Sequence, residues 1–152
     1  MKAEARKELL AECACFDLRK ATRAVSRMYD DFLRDAGVNV TQFSLLRLIR
    51  TEQAVSVSTL GRYMVMDRTS ITRALAPLER DGLINSRPGA DKRIRIVSLT
   101  KKGRKLVEDA APKWRRAQEA LMEAIGDDRW SAMCGLLRDT TRMVRHRTVA
   151  GD

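Results

Sequence analysis

Apolar residues recur every three or four positions over most of this chain, and every second position over one short stretch past its middle. From about Glu4 to Ala36 the stripe runs through Ala14, Leu18, Ala21, Val25, Met28 and Phe32, and Gly37 closes it. Thr41 has the side chain of a helix cap and opens a second stripe on Phe43, Leu45, Leu46, Leu48 and Ile49. A short helix built on Leu60 and Met64 follows. Asp67 then caps "RTSITRALAPLERDG", whose buried face is Ile71, Leu75 and Leu78. Gly82 supplies the left-handed end of that helix, and Leu83 folds back on its last turn. Pro77 removes one helical hydrogen bond and crowds the carbonyl of Arg73, which predicts a bend or a local widening.

The period then changes to two. "LINSR" and "RIRIVSL" alternate and are β-branched, with "PGADK" as the loop between them, so a hairpin with a polar, basic tip is predicted. Thr100 caps a long helix from Lys101 to about Ile125, with Leu106, Ala110, Trp114, Ala117 and Leu121 on one face and a kink expected at Pro112. After "GDD" a last helix carries Trp130, Met133, Leu137 and Val144. The predicted fold is mainly α with a small β-hairpin wing, one domain over residues 1–152. Its central lobe, 38–100, is a winged helix-turn-helix, flanked by long helices over 4–36 and 101–147. Those terminal helices carry more apolar stripe than one winged helix can cover, so pairing with a second copy is expected.

Composition sharpens the choice of partner. The chain has 152 residues, 44% hydrophobic and 33% charged, as a globular protein has. Its 30 Lys and Arg against 20 Asp and Glu give a formal charge of +10, which favours nucleic acid first and an anionic membrane surface second. The excess is concentrated: Arg87, Lys92, Arg93, Arg95, Lys101, Lys102, Arg104 and Lys105 face a single acid, Asp91, in that interval. "MKAEARKELL" has no apolar core of the signal-peptide kind, and no apolar run reaches the ~18 residues of a membrane span. Cys13, Cys15 and Cys134 are an odd number without paired spacing, so no disulfide framework is expected. The only histidine, His146, lies in a basic tail, so no metal or other cofactor is expected. A cytoplasmic protein with reduced thiols fits these features.

A helix fits the major groove of B-DNA, and the first residues of a recognition helix reach base edges. Here those residues are Arg68, Thr69, Ser70, Thr72 and Arg73, all on the face away from Ile71 and Leu75. The hairpin tip presents Lys92, Arg93 and Arg95, suited to phosphates or a narrow minor groove.

"DRTSITRALAPLERDGLI", followed by "DKRIRIVSLTKKG", resembles the recognition helix and wing of MarR-type transcriptional regulators. The most specific parts are the acid-x-Arg wing (Asp91, Lys92, Arg93) and the Leu-Thr-x-x-Gly ending (Leu99, Thr100, Gly103). The resemblance covers nearly the whole chain. It implies a homodimer with intertwined terminal helices, an inverted-repeat operator, and a role as a repressor released by a small effector. It also implies that Arg93 contacts DNA from the wing while Asp91 orients a neighbouring arginine. Effectors in such proteins sit between dimerisation helices and DNA-binding lobe, which makes Phe16, Arg19, Arg23 and Phe43 the candidate liners.

The cysteines admit two readings. Within one helix Cys13 and Cys15 point about 160° apart and cannot bond each other, and as small apolar side chains they, like Cys134 beside Met133, Leu136 and Leu137, serve as packing. Alternatively, Cys15-Phe16 and Tyr29 resemble positions of a peroxide-sensing branch of the same family, in which the tyrosine reaches the cysteine of the other subunit. Fourteen helical residues, about 21 Å of rise, separate Cys15 from Tyr29 along one chain, so that crossing is required. Two further tyrosines of that branch are absent, with Arg19 and Val40 in their places, so thiolate stabilisation falls to Arg19.

An enzyme is not expected, because a catalytic Cys15 would need a nearby base and no histidine is placed to be one. A winged-helix RNA or protein adaptor is the remaining class. Aromatics make up only 5% of the chain, too few for the stacking platforms that single-strand binding uses.

Overall fold

The computed structural model describes residues 13–149, with side chains over 13–145. The start of the first helix near Glu4 and the side chain of His146 lie outside the described residues. The chain divides into two compact units, Met1–Arg115 and Arg116–Asp152.

In the first unit, α1 (Ala14–Leu33) passes into a 3-10 turn, Arg34–Ala36, that ends at Gly37. Only Tyr29 and Leu33 of α1 are buried, and residues 13–24 are all exposed. The predicted stripe of Ala14, Leu18 and Ala21 therefore has no cover within this unit. Helix α2 (Val40–Glu52) begins two residues earlier than a Thr41 cap would allow. Asn39 and Gln42 form a reciprocal capping box (2.9 and 3.0 Å), and the Val40 N–H donates to Asp30 of α1 at 2.6 Å. Polar contacts thus fix the α1–α2 junction beside the apolar packing of Leu33, Val38 and Phe43.

Strand β1 (Ala54–Ser56) follows, too short to show alternation in the sequence. Ser56 caps α3 (Val57–Met64), accepting from the Thr59 N–H at 3.1 Å. Next come α4 (Arg68–Arg80), β2 (Ile84–Pro88), β3 (Arg95–Leu99) and α5 (Lys101–Ile125). The antiparallel sheet has the order β1-β3-β2, with Val55 opposite Val97 on one side and Ile84 opposite Leu99 on the other. The fold is mainly α with a small wing, as the change of period predicts. Strand β3 starts two residues later than "RIRIVSL", leaving Arg93 and Ile94 in the turn. Helices α4 and α5 continue through Pro77 and Pro112.

One apolar core joins these elements. Phe43, Leu45, Leu46 and Ile49 of α2 pack with Leu60, Ile71, Leu75, Leu78, Ile84, Val97 and Val107, all essentially inaccessible. The second unit holds the rest of α5 and α6 (Asp127–Val149), separated by Gly126. There Leu136, Leu137 and Met143 are exposed, and Cys134 is half-exposed rather than buried filler. No described helix is long and apolar enough to cross a membrane.

The tightest crossing is at the start of α5. Thr100 caps this helix through the Gly103 N–H (3.0 Å), while its hydroxyl also lies 2.7 Å from the Gly82 carbonyl that ends α4. A Cβ on Gly103 would stand 2.0 Å from the Leu83 carbonyl oxygen, so α5 can cross this backbone only on a glycine. Gly103→Ala is expected to cost about 3 kcal/mol, the upper end for overpacking, because backbone must move. A chemical-denaturation midpoint lowered at unchanged slope is the expected result; an unshifted midpoint would remove this crossing as a constraint.

Candidate nucleic-acid interface

Asp67 builds the start of α4. Its carboxylate accepts from the Ser70 N–H at 2.8 Å and the Ser70 hydroxyl at 2.9 Å. These donors, the backbone N–H foremost, hold the Asp67 carboxyl below its ordinary range, so it stays ionised at the helix N-terminus. With Ile71, Leu75 and Leu78 turned into the core, Arg68, Thr69, Ser70, Thr72 and Arg73 are left exposed, Arg68 because it opens the helix rather than by its azimuth, which is close to that of Leu75.

These five side chains are not equivalent. The Thr72 hydroxyl donates to the Arg68 carbonyl at 2.7 Å, and Ser70 donates to Asp67. Each hydroxyl has committed its hydrogen and retains acceptor capacity only, suited to cytosine N4 or adenine N6. Arg68, Thr69 and Arg73 have no side-chain partner among the described residues, and the arginines offer donor forks to guanine or phosphate.

The wing tip is a constrained turn. The Gly89 N–H donates to the Ile94 carbonyl at 2.7 Å, and Asp91 accepts the Arg93 N–H at 2.9 Å. Asp91 therefore sets the path of Arg93 through its backbone, while the Lys92 and Arg93 side chains extend without a partner among the described residues.

Arg95 is placed otherwise than a tip residue would be. It opens β3 opposite Pro88, on the hairpin face shared with Ser86 and the buried Val97. Its guanidinium pairs with Glu79 in the last turn of α4, and Glu79 also accepts from the Ser86 hydroxyl. This clamp ties the recognition helix to both wing strands, and no charge count predicts it. The available signal is parity, because Arg95 shares the alternation of Val97 and Leu99 rather than that of a solvent face.

Neighbouring cations are committed as well. Lys102 donates to the Asp81 carbonyl (2.8 Å), Arg104 to the Leu99 carbonyl (2.9 Å), and Lys105 pairs with Asp109 (2.8 Å). The Asp109 carboxylate raises the Lys105 pKa. Of the eight basic residues between Arg87 and Lys105, this leaves Arg87, Lys92, Arg93 and Lys101 without a partner among the described residues.

The candidate effector liners are not brought together. Phe43 is fully buried, its ring 6.3 Å from that of Trp114, so it is core and cannot line an open site. Phe16, Arg19 and Arg23 lie on the exposed half of α1, with the Lys20 ammonium 5.1 Å from the Phe16 ring. Both N-terminal cysteines are exposed, which removes packing within this unit as their role. Cys13 has extended φ and ψ and precedes the first helical residue, so the angle separating two positions of one helix does not apply to the pair. Tyr29 is buried near the other end of α1. Among the described residues no cluster of His, Cys, Asp and Glu could hold a metal.

Comparison with known proteins agrees with this geometry. The MarR family model matches residues 38–94, from α2 to the wing tip. The crystal structure of the M. tuberculosis transcriptional regulator MosR in complex with DNA is 33% identical, covering 93% of this chain and all of that one, with a TM-score of 0.79. YwoH of Bacillus subtilis, an uncharacterised helix-turn-helix transcriptional regulator, is 26% identical over 121 residues, 80% of this chain and 88% of its own. The organic hydroperoxide resistance transcriptional regulator of the same species is 29% identical over 97 residues, 63% of this chain and 66% of its own. The chain belongs to the MarR family of winged-helix transcriptional regulators.

The clamp makes a pH-dependent prediction. Ser86, and then the charge and hydrogen bond of Arg95, hold the Glu79 pKa below its ordinary 4.5. A depressed native pKa gives stability that is present above 4.5 and lost as pH falls through the native value. Glu79→Gln is therefore expected to lower the urea midpoint at neutral pH, with the gap to wild type closing in acid. A gap of equal size at pH 7 and about pH 3 would assign the loss to packing instead.

Proposed function

We propose that this chain is a sequence-specific double-stranded DNA-binding repressor, acting as a homodimer in the cytoplasm and released by a small effector. The observation that carries the reading is the outward face of α4, where Arg68, Thr69 and Arg73 are exposed and uncommitted above a buried Ile71–Leu75–Leu78 face. Lys92 and Arg93 on the wing add cations for the backbone beside that groove. The DNA complex of the related MosR supports the same partner. Ser70 and Thr72 join the readout as acceptors, and Arg95 acts through the clamp that holds the wing. No catalytic step is assigned to any residue.

Exposed Phe16 and Leu18 on α1, and Leu136, Leu137 and Met143 on α6, favour a second copy as cover for these helices. A two-fold dimer reads an inverted repeat with half-sites ~10 bp apart. A second reading, that oxidation of Cys15 is the releasing signal, is favoured by its exposure and by the hydroperoxide-resistance relative. Peroxide that releases DNA from wild type but not from Cys15→Ser supports it, and equal release from both removes it.

An anisotropy titration on the duplex upstream of the chain's own gene, against a scrambled duplex at about 150 mM salt, tests the main reading. Tight binding to the first alone is the expected outcome; equal binding to both contradicts sequence-specific recognition of that operator. Arg93→Ala is expected to weaken binding broadly and make the salt dependence shallower, since it removes a backbone contact. Arg73→Ala is expected to cost about 1–3 kcal/mol on the operator and little on random DNA if the arginine reads a guanine. An equal loss on both duplexes would reduce Arg73 to a phosphate contact.

A further inference from the structure

Helix α3 ends on a residue ill-suited to its backbone. Among the described residues φ is positive at Gly37, Gly82 and Gly126, where glycine meets the requirement, and also at Gln53 and Val65. Val65 closes α3 in the left-handed region, at φ 53 and ψ 44. The turn itself demands this conformation. The Met66 N–H folds back to the Gly61 carbonyl at 2.9 Å, and a Cβ on Gly61 would stand 3.0 Å from the Met66 oxygen. A β-branched side chain in that conformation crowds its own backbone, and glycine or asparagine would occupy the position with less strain.

Packing does not account for the valine. Met64 and Met66, on either side of it, pack against the core. Val65 is 57% exposed and, with Tyr63 at 58%, forms the outward surface of the turn. A strained residue whose side chain faces solvent points to a use outside the fold.

The place of this surface indicates what it meets. Val65 precedes the Asp67 cap by two residues, at the N-terminal end of α4, where Arg68 and Thr69 are exposed and without a side-chain partner among the described residues. A recognition helix that enters the major groove by its first residues carries the preceding turn to the edge of that groove. The apolar group displayed there is the thymine C5-methyl, which aliphatic side chains contact. We propose that Val65 is a specificity-determining residue, its methyl groups packing on the C5-methyl of one thymine in each half-site beside the bases met by Arg68 and Thr69. This assignment rests on the DNA-binding reading above and adds to it an apolar contact that hydrogen-bonding side chains cannot make.

The test uses a duplex enriched from a random pool by the full-length protein, each thymine in turn replaced by deoxyuridine. The replacement removes the methyl and leaves the hydrogen-bonding groups of the base unchanged. At one thymine per half-site wild type is expected to lose about four-fold in affinity per methyl removed. Val65→Gly and Val65→Asn, which suit the left-handed conformation, are expected to bind the unmodified duplex more weakly and to be indifferent to that replacement. Their urea midpoints are expected to equal or exceed that of wild type, so the loss of affinity is not a loss of fold. Thymine sensitivity that persists in both variants overturns the proposal. So does a wild type that binds the duplex specifically yet is indifferent to every replacement; in both cases the DNA-binding reading stands. A pool from which no sequence is enriched overturns the proposal and that reading together.

Discussion

The arrangement of the reading elements depends on one close crossing, where α5 passes over the backbone of Leu83. Because Gly103 has no side chain, Thr100 can cap α5 and reach the Gly82 carbonyl at the same point. The Leu83 N–H folds back to Leu78 at 2.9 Å, and the Lys102 ammonium donates to the Asp81 carbonyl. The end of the recognition helix, the first wing strand and the start of α5 are thereby fastened within a few residues of each other. Any displacement of α5 at this point is passed to α4 through short polar contacts, with little slack.

A second fastening acts further along the helix. Glu79 receives Ser86 from β2 and Arg95 from β3, so the wing is held at two strands by one carboxylate. Surface pairs of this exposure contribute little to stability. Their geometric effect is larger, since the clamp holds α4 against both strands of the hairpin whose turn carries Arg93. On the proposed function, Arg95 positions the wing and Arg93, two residues away, supplies affinity for DNA.

That division changes how the positive charge is understood. Arg95, Lys102, Arg104 and Lys105 are engaged inside the lobe, and the cations left to a partner are fewer and more localised than composition suggests.

Local chemistry made much of this legible from the chain alone. The Asp67 and Thr100 caps, the left-handed Gly82 and the switch of period at the wing depend on neighbours within four residues, so short stretches determine them. The outward set of Thr69, Ser70, Thr72 and Arg73 follows from helical geometry around Ile71 and Leu75, and Arg68 joins it as the residue that opens the helix. Contacts between distant segments decided the rest. The Val40 N–H reaches Asp30 of α1 and so joins that helix to α2, whose start at Asn39 is set locally by Gln42; β1 exists because β3 offers it an edge, and Phe43 meets Trp114 71 positions later. The sequence shows which residues carry charge. Only the tertiary structure decides which charges are spent inside the protein, because that depends on partners many residues away, as Glu79 is from Arg95.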